Sequence, residues 1–256
     1  MGTMTDHQEA GQGRGEATAE AMGAYWDSKA RENAMYFIHS CLDFNHPDEV
    51  EFWQSGARAL ELSLAPFGVR LSPSDRVLEV GCGIGRMTRA IAALAGSVVG
   101  VDVSPEMVAR AERALADVPN ASVTVGTGRD LAGFDAATFD VCYSFIVFQH
   151  IPDPAVTCAY VSEMGRVLRP GGWAVFQVSE RPEQHRAAWY RREARIPARL
   201  RRAVGRAPRG CLEPQWLGSA VPRPDLLRAI ERGGLELVAT SGDGTQFCMV
   251  HVRRPA

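Results

Sequence analysis

Lysine is nearly missing from this chain. Lys29 is the only one in 256 residues, so arginine supplies the rest of the 28 basic side chains. With abundant alanine and glycine, that bias points to a GC-rich bacterial genome and says nothing of mechanism. Also lacking is any run of about 18 consecutive apolar residues, which argues against a helical membrane span. The opening stretch, MGTMTDHQEAGQGRGEATAEAMG, has no basic segment leading into an apolar one, so no secretory signal is expected. Nor does one sign of charge dominate. With 28 basic against 30 acidic residues the net charge is -2, which removes the general electrostatic case for nucleic-acid binding. The six cysteines (Cys41, Cys82, Cys142, Cys158, Cys211, Cys248) form no C-x-x-C pair, and the six histidines form no H-x-x-x-H pair. No structural metal and no disulfide framework is expected, and the thiols read as reduced in a cytoplasmic protein. What remains is 46% AVILMFWYC residues and 23% charged residues. That suits one sizeable core, or one core with a small cap.

Along the chain, residues 1–22 are polar, glycine-rich and without apolar periodicity, and read as a disordered tail. A helix-like segment dense in aromatics follows from Ala24 to Cys41, broken by Asn45, His46 and Pro47. A second helix is predicted over Glu49–Ala65, ended by Pro66 and Gly68. Short apolar runs then alternate with amphipathic stretches. Strands are predicted at Arg76–Val80, Ser97–Val101, Ser122–Val125, Phe139–Phe145 and Trp173–Val178. Helices are predicted at Gly85–Ala95, Pro105–Val118 and Pro154–Leu168, with a tight turn at Arg169–Gly172. Such alternation indicates βαβ units and a parallel sheet. Residues 181–209 interrupt it with ten arginines and two acids, Glu183 and Glu193. A helix near Pro224–Arg232 and two runs, Leu235–Thr240 and Gln246–Val252, complete the pattern. The last two, joined by Ser241–Gly244, read as a hairpin and hence an antiparallel edge strand.

The most informative segment is Val77-Leu78-Glu79-Val80-Gly81-Cys82-Gly83-Ile84-Gly85-Arg86. A strand enters a glycine-rich turn that opens a helix, and glycine lets a ligand approach the backbone closely. A Gly-x-Gly-x-x-Gly loop would suit a dinucleotide, whose pyrophosphate sits on the helix N-terminus. Here Arg86 occupies the third-glycine position. Glu79 beside the loop would repel a pyrophosphate and suits a ligand with a cationic group, such as S-adenosylmethionine with its ammonium and sulfonium. Asp102 lies 21 residues after Gly81, where a βαβ unit places an acid for ribose hydroxyls.

Glu79-x-Gly81-x-Gly83-x-Gly85, Asp102 and Arg169-Pro170-Gly171-Gly172 together resemble the class I S-adenosylmethionine-dependent methyltransferases, of the small-molecule type. The resemblance covers about Asp75–Val178 and resumes weakly from about Leu226. It implies an α/β Rossmann-like sheet of seven strands in the order 3-2-1-4-5-7-6, mostly parallel with the last strand antiparallel and helices on both faces. It also implies an N-terminal helical lid (23–70) and a methyltransferase domain (71–256) with an arginine-rich insertion at 181–215. Carried over residue by residue, Gly81, Cys82, Gly83 and Gly85 pass under the methionyl part. Glu79 lies near its ammonium, and Asp102 holds the ribose diol. Val103 and Met107 pack on adenine, and Gly128 and Arg129 border it. Ser144 or Phe145 lines the methyl-transfer region. Thr127 departs from the acid usual in the third-strand loop, which leaves recognition of adenine N6 open. Arg86 either reaches the methionyl carboxylate, points to solvent or pairs with an acid of the lid.

Methyl transfer from a sulfonium needs alignment above all, and a base only if the acceptor arrives protonated. His150 is the candidate base, against the reading that it orders the loop after the fourth strand. Tyr25 either closes over the site as part of a lid or packs the helix. Trp26, Phe37 and Trp53 read as packing residues, and Tyr36 and His39 could face the acceptor. The arginine-rich insertion suits either an anionic acceptor or a solvated basic face. Nucleic acid is disfavoured because only Trp189 and Tyr190 interleave its arginines. The expected function is a cytoplasmic bacterial enzyme that methylates a nitrogen or oxygen of a small molecule, most plausibly in natural-product biosynthesis. Two alternatives stay open: a same-fold S-adenosylmethionine enzyme that transfers no methyl group, and a non-catalytic S-adenosylmethionine-binding protein.

Overall fold

Seven strands form one sheet in the order β3-β2-β1-β4-β5-β7-β6. They are β1 (Arg76–Val80), β2 (Ser97–Asp102), β3 (Ala121–Val125), β4 (Phe139–Ser144), β5 (Leu168–Val178), β6 (Glu236–Ser241) and β7 (Cys248–Arg253). This computed structural model describes residues 4–186 and 212–256. β1 is parallel to β2 and β4, and β7 is antiparallel to β5 and β6. The order is the one the resemblance implies.

The hairpin reading needs one correction. The antiparallel strand β7 is internal, between β5 and β6, and the edge falls to β6. The cause is visible in the side chains. Cys248-Met249-Val250-His251-Val252 is buried throughout, as a strand covered on both faces must be, whereas no residue of β6 is fully buried. The expected turn at Arg169–Gly172 falls within the span of β5. Leu168 pairs with Phe139 and Trp173 with Val141, so the turn is an irregularity in the ladder, with Gly171 at φ 82°.

The helices are α1 (Met4–Ile38), α2 (Glu49–Leu64), α3 (Arg86–Ala92), α4 (Pro105–Ala114), α5 (Pro154–Val167), α6 (Pro214–Leu217) and α7 (Arg223–Arg232). Their starts follow from local chemistry. Asp48, Ser104 and Asp153 each accept a backbone N–H of the following turn, and Pro105 and Pro154 stand at the first helical positions. α1 begins at Met4, within the segment read from sequence as a tail. Ala10, Ala17, Glu9, Glu16 and Gln8 are strong helix formers, a propensity that apolar periodicity does not register. α1 is kinked at Asn33 (φ -168°, ψ 88°). There the Asn33 side chain accepts from the Tyr36 N–H at 3.1 Å and restarts the helix as an N-cap.

Two cores sandwich the sheet. Leu78, Cys142, Phe176 and Val250 pack toward Val161, Met164, Leu226 and Ile230 of α5 and α7. Val77, Val141, Tyr143 and Val175 pack toward Leu60, Met87 and Ile91 of α2 and α3. Neighbouring strand residues thus divide between the two faces, as the pleat requires. Most of the arginine-rich insertion expected at 181–215, with Trp189, Tyr190 and Cys211, lies outside the described residues. Among the described residues, no helix is long and apolar enough to cross a membrane.

Candidate cofactor and acceptor site

A cavity with about 970 Å³ of empty space, open solvent included, lies at the C-terminal ends of β1, β2 and β4. This is where open α/β sheets place ligands. Glu79, Gly81, Cys82, Gly83, Arg86, Asp102, Val103, Met107, Gly128, Phe145 and His150 all line it. Four residues named from sequence lie off its wall. Gly85 is the left-handed cap of α3, at φ 92° against Leu115. Ser144 is fully buried and donates to the Val80 carbonyl at 3.0 Å, tying β4 to β1. The Arg129 N–H donates to Thr127 Oγ1 in the loop after β3. Tyr25 packs edge-on against Trp26 at 5.2 Å. Tyr36 and His39 are likewise absent from the wall.

The glycine loop is built for contact. Gly81 and Gly83 have φ of 79° and 54°, in the left-handed region where a side chain is strained. A Cβ on Gly81 would lie 2.2 Å from Val147 Cγ2, and one on Gly83 would lie 2.7 Å from Ile38 Cδ1. Ile146, on the same wall, holds φ 56°, an unfavourable conformation for a β-branched residue.

Three charged groups define the floor. Glu79 is buried in β1 and accepts from Thr88 Oγ1 at 2.6 Å. Burial pushes its carboxyl up to about 7, opposed by that hydrogen bond and by the Arg86 charge. Asp102 accepts the Gly83 N–H on Oδ2 and the Ser104 N–H on Oδ1, both at 2.9 Å. Each carboxylate oxygen keeps a further lone pair for a hydroxyl. Its pKa is raised by burial, with Asp27 adding to the effect. Arg86 is buried, which excludes the solvent reading. Its Nη1 donates to Ser55 Oγ at 3.2 Å, and its Nε finds no partner among the described residues. A buried guanidinium with an idle donor is costly to leave unsatisfied, and a carboxylate in the cavity would satisfy it.

His150 sits in a directional chain of hydrogen bonds. Gln177 Nε2 donates to Gln149 Oε1 at 3.2 Å, and Gln149 Nε2 lies 3.2 Å from His150 Nε2. His150 Nδ1 is 2.8 Å from the Trp216 carbonyl, which can only accept. Nδ1 therefore carries the proton, and the bare Nε2 accepts from the Gln149 amide. Burial lowers the ring's pKa to about 4, so the ring is neutral at pH 7.

α1 roofs the cavity. Met22, Trp26, Phe37 and Ile38 all line it, although Trp26 and Phe37 read from sequence as packing residues. Asp27 Oδ1 accepts from Ser104 Oγ at 2.6 Å and from the Glu106 N–H at 3.0 Å, fastening α1 to the N-terminus of α4. Met22, Ile146, Val147, Ile151 and Tyr160 were not anticipated on the wall. Only the helical offset between Met22 and Trp26 carried a trace of it. Off the cavity wall, Glu180, Asp243 and Cys248 cluster within 4.8 Å, but Arg223 pairs with both acids there.

The sheet order, the glycine loop and the acid at the end of β2 define a class. Residues 78–176 match the family model described as "Methyltransferase domain". Residues 78–176 thus carry a methyltransferase domain, and the sheet has the strand order of the class I S-adenosylmethionine-dependent methyltransferases. It is 32% identical over 154 residues to a 2-methyl-6-phytyl-1,4-hydroquinone methyltransferase of Synechocystis, covering 59% of this chain and 41% of that protein. It is 34% identical over 105 residues to a ubiquinone biosynthesis O-methyltransferase of Xanthomonas axonopodis, covering 40% and 43%. The chain thus spans about two fifths of the length of these curated relatives. Among solved structures, the phosphoethanolamine N-methyltransferase 1 of Haemonchus contortus shares the fold at TM-score 0.65 and 16% identity, over 94% of this chain and 50% of that one. The N-methyltransferase NodS of Bradyrhizobium japonicum does so at 0.55 and 17%, over 92% and 99%.

Proposed function

We propose that the protein moves the methyl group of S-adenosylmethionine to a nitrogen or oxygen of a small molecule, in natural-product biosynthesis. One observation carries this reading: a glycine-walled cavity with two acids, Glu79 and Asp102, and a buried arginine with an idle Nε. That layout suits a ligand bearing an ammonium, a ribose diol and a carboxylate, and it opposes a diphosphate. In this reading Glu79 faces the ammonium, Arg86 Nε the carboxylate and Asp102 the ribose hydroxyls. Gly81 and Gly83 let the backbone approach closely, Val103 and Met107 pack on the adenine, and Gly128 borders it. The relatives are a 2-methyl-6-phytyl-1,4-hydroquinone methyltransferase and a ubiquinone biosynthesis O-methyltransferase, which supports a small-molecule acceptor.

The bound cofactor supplies an activated methyl group, so the protein's contribution is alignment and exclusion of water. Trp26, Phe37, Ile38, Phe145, Ile146 and Val147 furnish an apolar wall for that purpose. With its Nε2 lone pair engaged by Gln149, His150 acts by ordering the wall rather than as the base. The acceptor's own ionisation then governs its proton. The test is incubation of the purified chain with S-adenosylmethionine and a panel of amines, phenols and hydroquinones, followed by mass spectrometry. Formation of S-adenosylhomocysteine with a product heavier by one CH2 supports the reading. Consumption of the cofactor without that product contradicts it.

A further inference from the structure

Resting on that reading of the cavity, one polar group on its wall has no assigned work. Tyr160, midway along α5, is only 7% exposed, and yet it lines the cavity. Its ring packs on Phe148, with centroids 5.8 Å apart and planes tilted by 31°. Met22 and Leu131 belong to the same core cluster. Buried tyrosine hydroxyls ordinarily find a partner, and Tyr143 shows the usual outcome, with its Oη 2.8 Å from Ser63 Oγ. The Tyr160 hydroxyl has no hydrogen bond to any described residue. It is also not sealed in the core, since it is not among the fully enclosed atoms left unpaired. It therefore faces the cavity.

Its neighbours say which end of the cavity. The charges acting on its phenol are those of Asp102, Asp130 and Arg129. Asp102 is the ribose acid at the end of β2, and the other two belong to the loop after β3. That is the adenosyl end, remote from Arg86 and Glu79 in the scheme above. In the loop after β3, one carboxylate oxygen of Asp130 is already engaged. Thr127 Oγ1 has one proton to give, and it lies 2.8 Å from Asp130 Oδ1 and 3.1 Å from the Asp130 carbonyl oxygen. Asp130 Oδ1 takes the Ala132 N–H as well, at 3.2 Å. Asp102 already receives two backbone N–H groups besides the ribose. Both acids near this end thus have part of their accepting capacity engaged, whereas the Tyr160 oxygen has none engaged by the described residues.

We propose that Tyr160 is a specificity-determining residue, its hydroxyl oxygen accepting a hydrogen bond from the exocyclic amine of adenine. The phenol thus takes the place of the acid that the loop after β3 lacks at Thr127. The aromatic ring supplies packing, and the oxygen supplies selectivity between an amino-purine and a purine without that group.

Calorimetry with two probes tests this without any methyl acceptor. One probe is S-adenosylhomocysteine, and the other is its analogue with unsubstituted purine in place of adenine. For the unaltered protein, S-adenosylhomocysteine should bind more tightly than the analogue by about three- to tenfold, the worth of one neutral hydrogen bond. In Tyr160→Phe that advantage should vanish, with affinity for the analogue unchanged. Thermal unfolding of the variant should match the unaltered protein, since the hydroxyl supports nothing else. Equal loss of affinity for both probes in Tyr160→Phe, or no loss for either, overturns the proposal while leaving the cofactor reading intact. No binding of S-adenosylhomocysteine by the unaltered protein overturns both.

Discussion

At neutral pH the Glu79 carboxyl stands at the middle of its titration, because burial raises it from 4.5 to about 7. Between those values the folded chain holds a proton that the unfolded chain has released. The linkage relation then makes the ligand-free protein less stable as pH rises through that window, and level above it. His150 acts oppositely. Its pKa falls from 6.5 to about 4, so stability is lost as pH drops across that interval. The two slopes oppose each other where they overlap. Glu79→Gln should therefore abolish the decline toward pH 7 and leave the His150 slope alone, read from urea unfolding midpoints across pH 4–8. Ligand affinity should respond the other way, since an ionised Glu79 attracts an ammonium. Binding of S-adenosylmethionine should tighten as pH rises through 7, and Glu79→Gln should flatten that dependence. Asp102→Ala should weaken binding by at least about tenfold, in line with loss of charge-assisted hydrogen bonds, as titration calorimetry would show. Glu79, Asp102, Gly81 and Gly83 were legible as residues of the cavity wall because their chemistry is unusual for their place: an acid in an apolar strand, glycines where a turn must open a helix. Tyr160 was not legible, because a tyrosine at a core position of an amphipathic helix looks like packing until it is found on a cavity wall.

Among the elements, α1 carries the largest surprise. Aromatic spacing located its second half, but a helix seen only as a pattern does not disclose its rotation. Trp26 and Phe37 were therefore read as packing when they also roof the cavity. The fastening of α1 is more local than its length suggests. One carboxylate, Asp27, receives a hydroxyl and a backbone N–H from the start of α4, a favourable place for negative charge. Asp27→Ala should cost about 1 kcal/mol, loosen α1 before the sheet, and weaken S-adenosylhomocysteine binding several-fold. Hydrogen exchange over residues 19–38 should speed up while β1 and β4 keep their protection. A second close approach joins α5 to α7, where a Cβ on Gly165 would lie 1.9 Å from the Gly233 carbonyl oxygen. Gly165→Ala should force the helices apart and destabilise the chain by about 1–3 kcal/mol, visible as a lower urea midpoint, without changing ligand specificity.

The molecule as a whole follows from alternation. Short apolar runs separated by amphipathic stretches dictated a parallel sheet, and the strand boundaries fell within two residues of their places except for β5, which starts at Leu168 rather than Trp173. The internal position of β7 escaped the hairpin reading, because a hairpin fixes which strands pair but not which of them faces the rest of the sheet. The continuous burial from Cys248 to Val252 settles that point. Residues 187–211, which hold most of the arginine-rich run, lie outside the described structure. A ligand that binds only the folded chain should stabilise it by about 2.7 kcal/mol at a concentration one hundred times its dissociation constant. For a chain of this size that corresponds to a rise in Tm of roughly 5–10 °C.

The central claim is that the cavity's charges favour a cationic adenosyl donor over a diphosphate. Titration calorimetry of the purified protein with S-adenosylmethionine, S-adenosylhomocysteine and NADH tests it most directly. The account predicts saturable heat from the two sulfur compounds and none from NADH. Saturation by NADH, with silence from the other two, would contradict it.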